Sequence, residues 1–281
     1  MKTLFIIAIM LGPVAVTAQR LHLNLFGGFA NYMGDMQDKP VTFDQSNGAF
    51  GAGLQYDLTN RFSLRGGVMY GKVSASDKFN RKSLQVRNLS FETKIVEGNL
   101  FLQYNLFDPE EKKLIPYVFG GVAVYHFNPY SFDSLGYRVL LQPLSTEGQG
   151  LDQYPDRKPY KLTQFAMPMG LGFKLRVSEN VTLGYELGMR KLFTDYLDDL
   201  STTYVDEAAL NMARGAKAVE MAYRGDELKI APGTYPSAFS IRGGAKHQDW
   251  YYFQGLTLSI GLRTGRSGWG SSGTGCPVRV L

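Results

Sequence analysis

"VTLGYELGMRK", residues 181–191, is the stretch that decides how this chain is built. Val181, Leu183, Tyr185, Leu187 and Met189 alternate with Thr182, Gly184, Glu186, Gly188 and Arg190. A period of two puts each set on its own face of a β-strand. One face is wholly apolar. The other is small or polar and carries one acid and one base. A soluble barrel turns its apolar face inward and its charges to water. Here the polar face is rich in glycine and sparse in charge, which suits a narrow, crowded lumen. The apolar face is then left to meet lipid.

Working outward, the pattern recurs. Residues 61–71 set Phe62, Leu64, Val68 and Tyr70 against Ser63, Arg65 and Gly67, and 95–107 set Val96, Leu100, Leu102 and Tyr104 against Glu97, Asn99, Phe101 and Gln103. Segments 21–33, 49–58, 164–175 and 251–263 alternate in the same way. "IPYVFGGVAVYHF" (115–127) is apolar on both faces, so its orientation stays open. That makes about eight strands, each reaching the ~9–11 residues a tilted membrane strand needs. Their connections alternate between short (57–60, 108–114, 176–180) and long (about 34–48, 72–90, 128–160, 192–249). Outer-membrane barrels have short periplasmic turns and long extracellular loops. The expectation is all-β: an eight-stranded antiparallel transmembrane β-barrel over 19–263, both termini periplasmic, with a flexible periplasmic tail at 264–281. A lipocalin-like soluble barrel shares the strand number, but its connections rarely alternate in this way.

The start supports an exported product. "MKTLFIIAIMLGPVAVTAQ" (1–19) has a basic residue, an apolar run and small residues at Val16 and Ala18. It reads as a secretory signal peptide over 1–18. The formal charge of +5 comes from scattered Lys and Arg. No dense basic run marks a nucleic-acid partner.

An eight-stranded barrel has an interior that side chains fill, which argues against a porin. Unpaired charge inside would be costly. Arg65, Glu97, Glu186 and Arg190 are therefore expected to neutralise one another there. "FTDYLDDLSTTYVD" (193–206) clusters Asp195, Asp198, Asp199 and Asp206. A calcium-type oxygen site is one reading, although the spacing is not that of an EF-hand. A structured loop is favoured, its carboxylates pairing with Arg190 and Lys191 and accepting from turn amides. Residues 206–224 read as a helix capped by Asp206. Its apolar face would be Ala209, Met212, Ala213, Ala216, Val219 and Tyr223, lying over the barrel mouth, with Gly215 weakening it. The histidines, His22, His126 and His247, show no nucleophile–base spacing. No enzyme activity, cofactor or metal is expected.

Cys276 is the sole cysteine, in the tail "SSGTGCPVRVL" (271–281). In an oxidising compartment a leftover cysteine suggests an intermolecular disulfide or a reactive thiol.

"GYELGMRKLFTDYLDDLSTTYVD" (184–206), preceded by "GLGFKLRVSENVTL" (170–183), resembles the signature stretch of PorG-like outer-membrane barrels of Bacteroidota, components of the type IX secretion system. "FGGFANYMGDM" (26–36), "NLFLQYNLF" (99–107), "IPYVFGGVAVYHFNP" (115–129) and "GCP" (275–277) resemble them too, in that order. The resemblance implies a non-enzymatic part of a machine that exports proteins bearing a C-terminal sorting signal and supports gliding motility in some bacteria. It also implies contact with a periplasmic ring of a PorK-like lipoprotein and a PorN-like partner. The ring lipoprotein is then the natural candidate for a disulfide with Cys276. Two alternatives stay open: an orphan structural or adhesin-type barrel, and a lipid-modifying enzyme at the barrel rim.

Overall fold

The computed structural model describes residues 21–37, 44–228, 233–244 and 248–262. The signal peptide expected over 1–18, the tail expected over 264–281 with Cys276, and His247 lie outside the described residues. Ten strands occur among those described: β1 (Leu21–Met33), β2 (Asn47–Asp57), β3 (Phe62–Ser76), β4 (Ser90–Asn105), β5 (Leu114–His126), β6 (Tyr130–Phe132), β7 (Arg138–Leu140), β8 (Thr163–Arg176), β9 (Val181–Leu192) and β10 (Trp250–Gly261). Leu25 of β1 opposes Ala52 of β2 on one side and Leu258 of β10 on the other. First and last strands are thus hydrogen-bonded, and the order β1-β2-β3-β4-β5-β8-β9-β10 closes on itself, antiparallel throughout. Closure leaves no unpaired edge, the condition for a sheet to span lipid.

The alternation read from the sequence sets the two faces. Phe165 is 68% exposed and Leu256 67%, while Glu97 is fully buried and Arg190 nearly so. A barrel with an apolar outside and a charged, enclosed inside is a membrane barrel of the outer-membrane type. In β5 the ambiguity is resolved: Val118, Val122 and Val124 point out, and Tyr117, Phe119, Ala123 and Tyr125 point in. The β5–β8 ladder is interrupted opposite Pro168, which has no N–H to give.

All the long connections gather at one end and the short turns at the other. Three features there differ from expectation. The pairing of β3 with β4 runs on to Ser76 and Ser90, because Val73, Ala75, Phe91 and Ile95 keep alternating inward, so the connection expected at 72–90 is only 77–89. It holds a one-turn helix, α1 (Lys82–Gln85). The 128–160 loop contains the short β6–β7 hairpin. The helix expected over 206–224 is two helices, α2 (Glu207–Arg214) and α3 (Ala216–Ala222), broken at Gly215, whose φ of +84° is a left-handed value. The break turns the buried face. Leu210, Ala218, Met221 and Ala222 are buried, whereas Met212 is 86% exposed. Asp206 does cap α2, accepting from the Ala209 amide at 2.8 Å.

The core is continuous from lumen into loops. Ile95, Tyr125, Tyr251 and Phe253 inside the barrel join Tyr160, Leu197, Leu200 and Met221 above it. Leu151, Val205, Leu210, Ala218 and Ala222 form a second cluster within the loops. The long connections therefore form a packed cap.

Candidate functional site

The lumen is the first place to look for a path or a reaction. Arg190 on β9 donates to Glu97 on β4 from Nε at 2.9 Å and from Nη2 at 3.1 Å. Its guanidinium also lies 4.5 Å from the Phe253 ring centre. Tyr251 donates to the same Glu97 carboxylate at 2.7 Å, and Asn99 at 2.7 Å. One layer nearer the short turns, Arg65 donates to Glu186 at 2.6 Å and to Gln103 at 3.2 Å, and Tyr117 donates to Glu186 at 2.8 Å. The four charged residues singled out from the sequence thus form two pairs, Arg190–Glu97 and Arg65–Glu186. Phe101, Tyr117 and Phe119 pack beside them. The space left next to Arg65, Asn99 and Glu186 is about 40 Å³. That admits water, not a solute. The two ion pairs and the rings beside them close this part of the lumen.

The loop aspartates are placed differently from the sequence reading. Arg190 is held by Glu97 inside the barrel, and Lys191 faces outward, so neither neutralises the cluster. The reason is the period of two: Arg190 lies on the inward face of β9, one inward position before its last residue, Leu192. Asp198 accepts from Tyr32 at 2.6 Å and from the Leu200 amide at 2.9 Å. Tyr32 also reaches Asp249 at 3.0 Å, and Asp249 accepts from the Leu197 amide at 2.9 Å. Asp199 accepts from Tyr160 at 2.7 Å and stands 3.7 Å from Arg242. Neither Asp195 carboxylate oxygen completes a well-formed hydrogen bond, although the Ser201 side chain stands alongside.

Burial raises these acids. It pushes Asp195 up to about 7, with Ser201 alongside offsetting only part, and Asp199 up to about 6, with Arg242 pulling the other way. Asp198 is held well above the usual carboxylate range by burial and then by Asp35, and Asp249 by burial and then by Asp198. Among the described residues, no group of three or more His, Cys, Asp or Glu side chains is arranged to hold a metal ion.

Two cap residues carry more of the structure than any of these. The Glu147 carboxylate accepts from Arg242, the Ser201 amide, and the amide and hydroxyl of Thr202. Arg242 also donates to the carbonyls of Ala222 and Asp199. Arg87 grips Asp77 through two nitrogens and donates to the Arg242 carbonyl. Glu147, Arg242, Asp77 and Arg87 sit in irregular segments with no hydrophobic period, so no local pattern marks them. The histidines stay apart: His22 contacts Asp57 at 2.9 Å near the short turns, and His126 contacts Thr163 at 2.9 Å on the outer rim.

The model of the family described as "Domain of unknown function (DUF6089)" matches residues 1–138 and 141–215. The chain belongs to this family. No curated protein matches the chain. Among solved structures, it is similar to Neisserial surface protein A at 8% identity and a TM-score of 0.41, covering 86% of this chain and 96% of that one. It is similar to the outer membrane protein OprG of Pseudomonas aeruginosa at 13% identity and 0.40, covering 86% and 97%. It is also similar to Ail, the attachment invasion locus protein of Yersinia pestis, at 8% and 0.39, covering 86% and 97%. At such scores these likenesses add nothing to the closure, which the strand register establishes by itself. In this DUF6089 barrel the chemistry on view is ion pairing and packing, inside the lumen and through the cap.

Proposed function

We propose that this barrel is a non-enzymatic outer-membrane component of the type IX protein secretion system. Its role is to anchor a periplasmic ring, made of a PorK-like lipoprotein with a PorN-like partner, to the outer membrane. The observation that carries the reading is the closed section of the lumen. Arg190–Glu97 and Arg65–Glu186 cross it, and aromatic side chains fill what remains. A barrel whose lumen is crossed by two ion pairs is suited to serve as a fixed point in the membrane. The resemblance over 184–206 supports the choice of machine. In this reading the short turns and both termini face the periplasm. The tail hangs there, and Cys276 forms a disulfide with the ring lipoprotein.

The test is a gentle detergent pull-down of the full chain, run with and without reductant. Ring proteins should co-purify, and non-reducing electrophoresis should show a heavier band that reductant collapses. Absence of ring proteins under both conditions sinks the anchor. A Cys276→Ser chain with an unchanged band pattern removes the disulfide alone.

A second reading, an orphan structural or adhesin-type barrel, draws on the packed cap. Tyr137 at 69% exposure and Ile241 at 80% stand on its surface. That reading predicts loss of surface binding, with secretion intact, when segments 128–160 and 192–249 are exchanged.

A further inference from the structure

The pairing of β3 with β4 runs past Gly71, the last residue of β3 paired with β2, and on to Ser76 and Ser90. β2 begins at Asn47, and the chain just before it lies against the extended part of β3, where Gln45 Oε1 accepts from the Ser76 amide at 2.8 Å. β6 flanks the β4 side, with Tyr130 opposite Glu92. Between these segments lies a notch of about 260 Å³. On β3 and β4 the outward positions are apolar at the Tyr70–Val96 pair and polar above it, at Lys72, Ser74 and Ser76 and at Lys94, Glu92 and Ser90. The notch therefore lies beyond the lipid-facing part of these two strands.

Its walls hold hydrogen-bonding capacity that the fold does not use. Asn47 gives both amide hydrogens, to the Gln45 carbonyl at 3.0 Å and to Ser74 Oγ at 2.8 Å, so its own side-chain carbonyl is left to accept. Ser74 accepts there and keeps its O–H to give, as does Ser76, which accepts from the Lys78 amide at 3.3 Å. Ser90 and Ser131 share one hydrogen bond at 3.1 Å, which leaves one hydroxyl hydrogen between them. Gln45 is 9% exposed, and its Nε2 has no partner. The charged lining residues are two acids, Asp44 and Glu92, and Glu92 is held by Lys72 and Tyr130. No Lys, Arg or His lines the notch, so nothing in it calls for an anion. Phe79 and Phe132 complete the lining, both exposed. A sugar ring matches this set, with hydroxyls that both give and accept and a C–H face for an aromatic side chain. Lys78 already stands over the Phe79 ring, 5.7 Å from its centre, whereas no cation covers Phe132.

We propose that this notch binds one neutral pyranose ring, its hydroxyls against Asn47, Ser74 and Ser76 and its C–H face against Phe132. The site needs neither a periplasmic ring nor a given orientation of the barrel, so it stands or falls apart from the proposed function.

The experiment uses the full chain in an amine-oxide detergent, which carries no sugar of its own. Saturation-transfer NMR titrates methyl glucoside, methyl galactoside and methyl mannoside. At least one should bind. Phe132→Ala should weaken it by about tenfold and Ser74→Ala by about fivefold, while Phe107→Ala, an exposed ring beside a short turn, should leave it unchanged. A preserved heat shift on gels shows that each variant is folded. No transfer to any of the three glycosides, or indifference to both Phe132→Ala and Ser74→Ala, overturns the proposal. Sorbitol binding as tightly as the preferred glycoside overturns the ring as occupant, and glucuronate binding more tightly than methyl glucoside overturns its neutrality. A trisaccharide ending in the preferred sugar separates the sources. Binding as tight as the glycoside supports the end of a glycan chain in the notch, and weaker binding supports a free monosaccharide.

Discussion

Arg190 and Glu97 join two strands that are not neighbours in the barrel wall. β5 and β8 lie between them, and the guanidinium still meets both carboxylate oxygens, at 2.9 and 3.1 Å. Both side chains are enclosed. Breaking such a pair leaves one charge buried alone. Glu97→Gln or Arg190→Met should each cost ~3–5 kcal/mol, and Glu97→Met combined with Arg190→Met should recover most of it. Urea unfolding in detergent micelles measures all three. A double variant as unstable as the singles would mean that the hydrogen bonds from Tyr251 and Asn99, rather than the ion pair, hold this layer.

Gly188 explains how so large a residue as Arg190 fits. A Cβ at 188 would stand 2.5 Å from Arg190 Nη1 and 2.9 Å from the Phe119 ring. Gly188→Val should therefore overpack the lumen by ~1–3 kcal/mol, and heating should unfold the variant at a lower temperature on a gel-shift assay. Gly98, on the outward face of β4, has nothing within 4 Å of the same position. Gly98→Ala should leave the midpoint where it is. Equal shifts for the two would remove the packing argument.

The wall of the barrel is legible because its physics is periodic. Leu183, Tyr185 and Leu187 alternate with Gly184, Glu186 and Gly188 whatever lies beyond, and lipid outside forces that choice. Where both sides of a strand are apolar, as at Val118 and Phe119, the period remains but the direction does not. Only the lumen packing of Phe119 against Phe101 sets it. The end of β3 is misjudged from sequence because small residues such as Ser74 and Ala75 look like a loop and are paired strand. The cap is the least legible part. Glu147 and Arg242 are 95 residues apart and meet at 3.1 Å, a contact fixed by the path of two loops. The aspartates at 195–199 announce themselves as a cluster, yet their partners Tyr32, Tyr160 and Arg242 come from elsewhere in the chain.

Those aspartates give the cap a pH dependence with a definite sign. Asp195 is pushed up to about 7 and Asp199 to about 6, both by burial. Unfolded, each would titrate near 4. Between these values the folded cap holds more protons than the unfolded chain, so stability falls as pH rises through the window. It is fully present below about pH 4 and lost by the folded values. Hydrogen exchange of the 193–205 amides, corrected for intrinsic rate, should show protection on the order of tenfold greater at pH 5 than at pH 8. Asp195→Asn, neutral at every pH, should flatten part of the difference. Equal protection at both values, or a slope of opposite sign, would refute the assignment.

Glu147 is the point at which the cap should come apart without the barrel. Its carboxylate takes Arg242 at 3.1 Å, the Ser201 amide at 3.0 Å, and the Thr202 amide and hydroxyl at 2.9 and 2.7 Å. It thereby ties the 127–162 connection to 193–249. Glu147→Ala strands the buried Ser201 amide, the half-buried Thr202 amide and a guanidinium, at up to about 1–3 kcal/mol for each buried group. Glu147→Gln keeps an acceptor and removes the charge, so it should fall between parent and alanine. Pairing Glu147→Ala with Arg242→Met should give little rescue, because the amides of Ser201 and Thr202 stay unpaired. None of these groups touches the lumen pairs. Limited proteolysis should therefore cut the Glu147→Ala chain within its two longest loops while the strand fragments stay associated and still shift on heating. If the barrel loses its heat shift together with the cap, the two are one cooperative unit, and the continuous core from Tyr251 to Leu197 is what couples them.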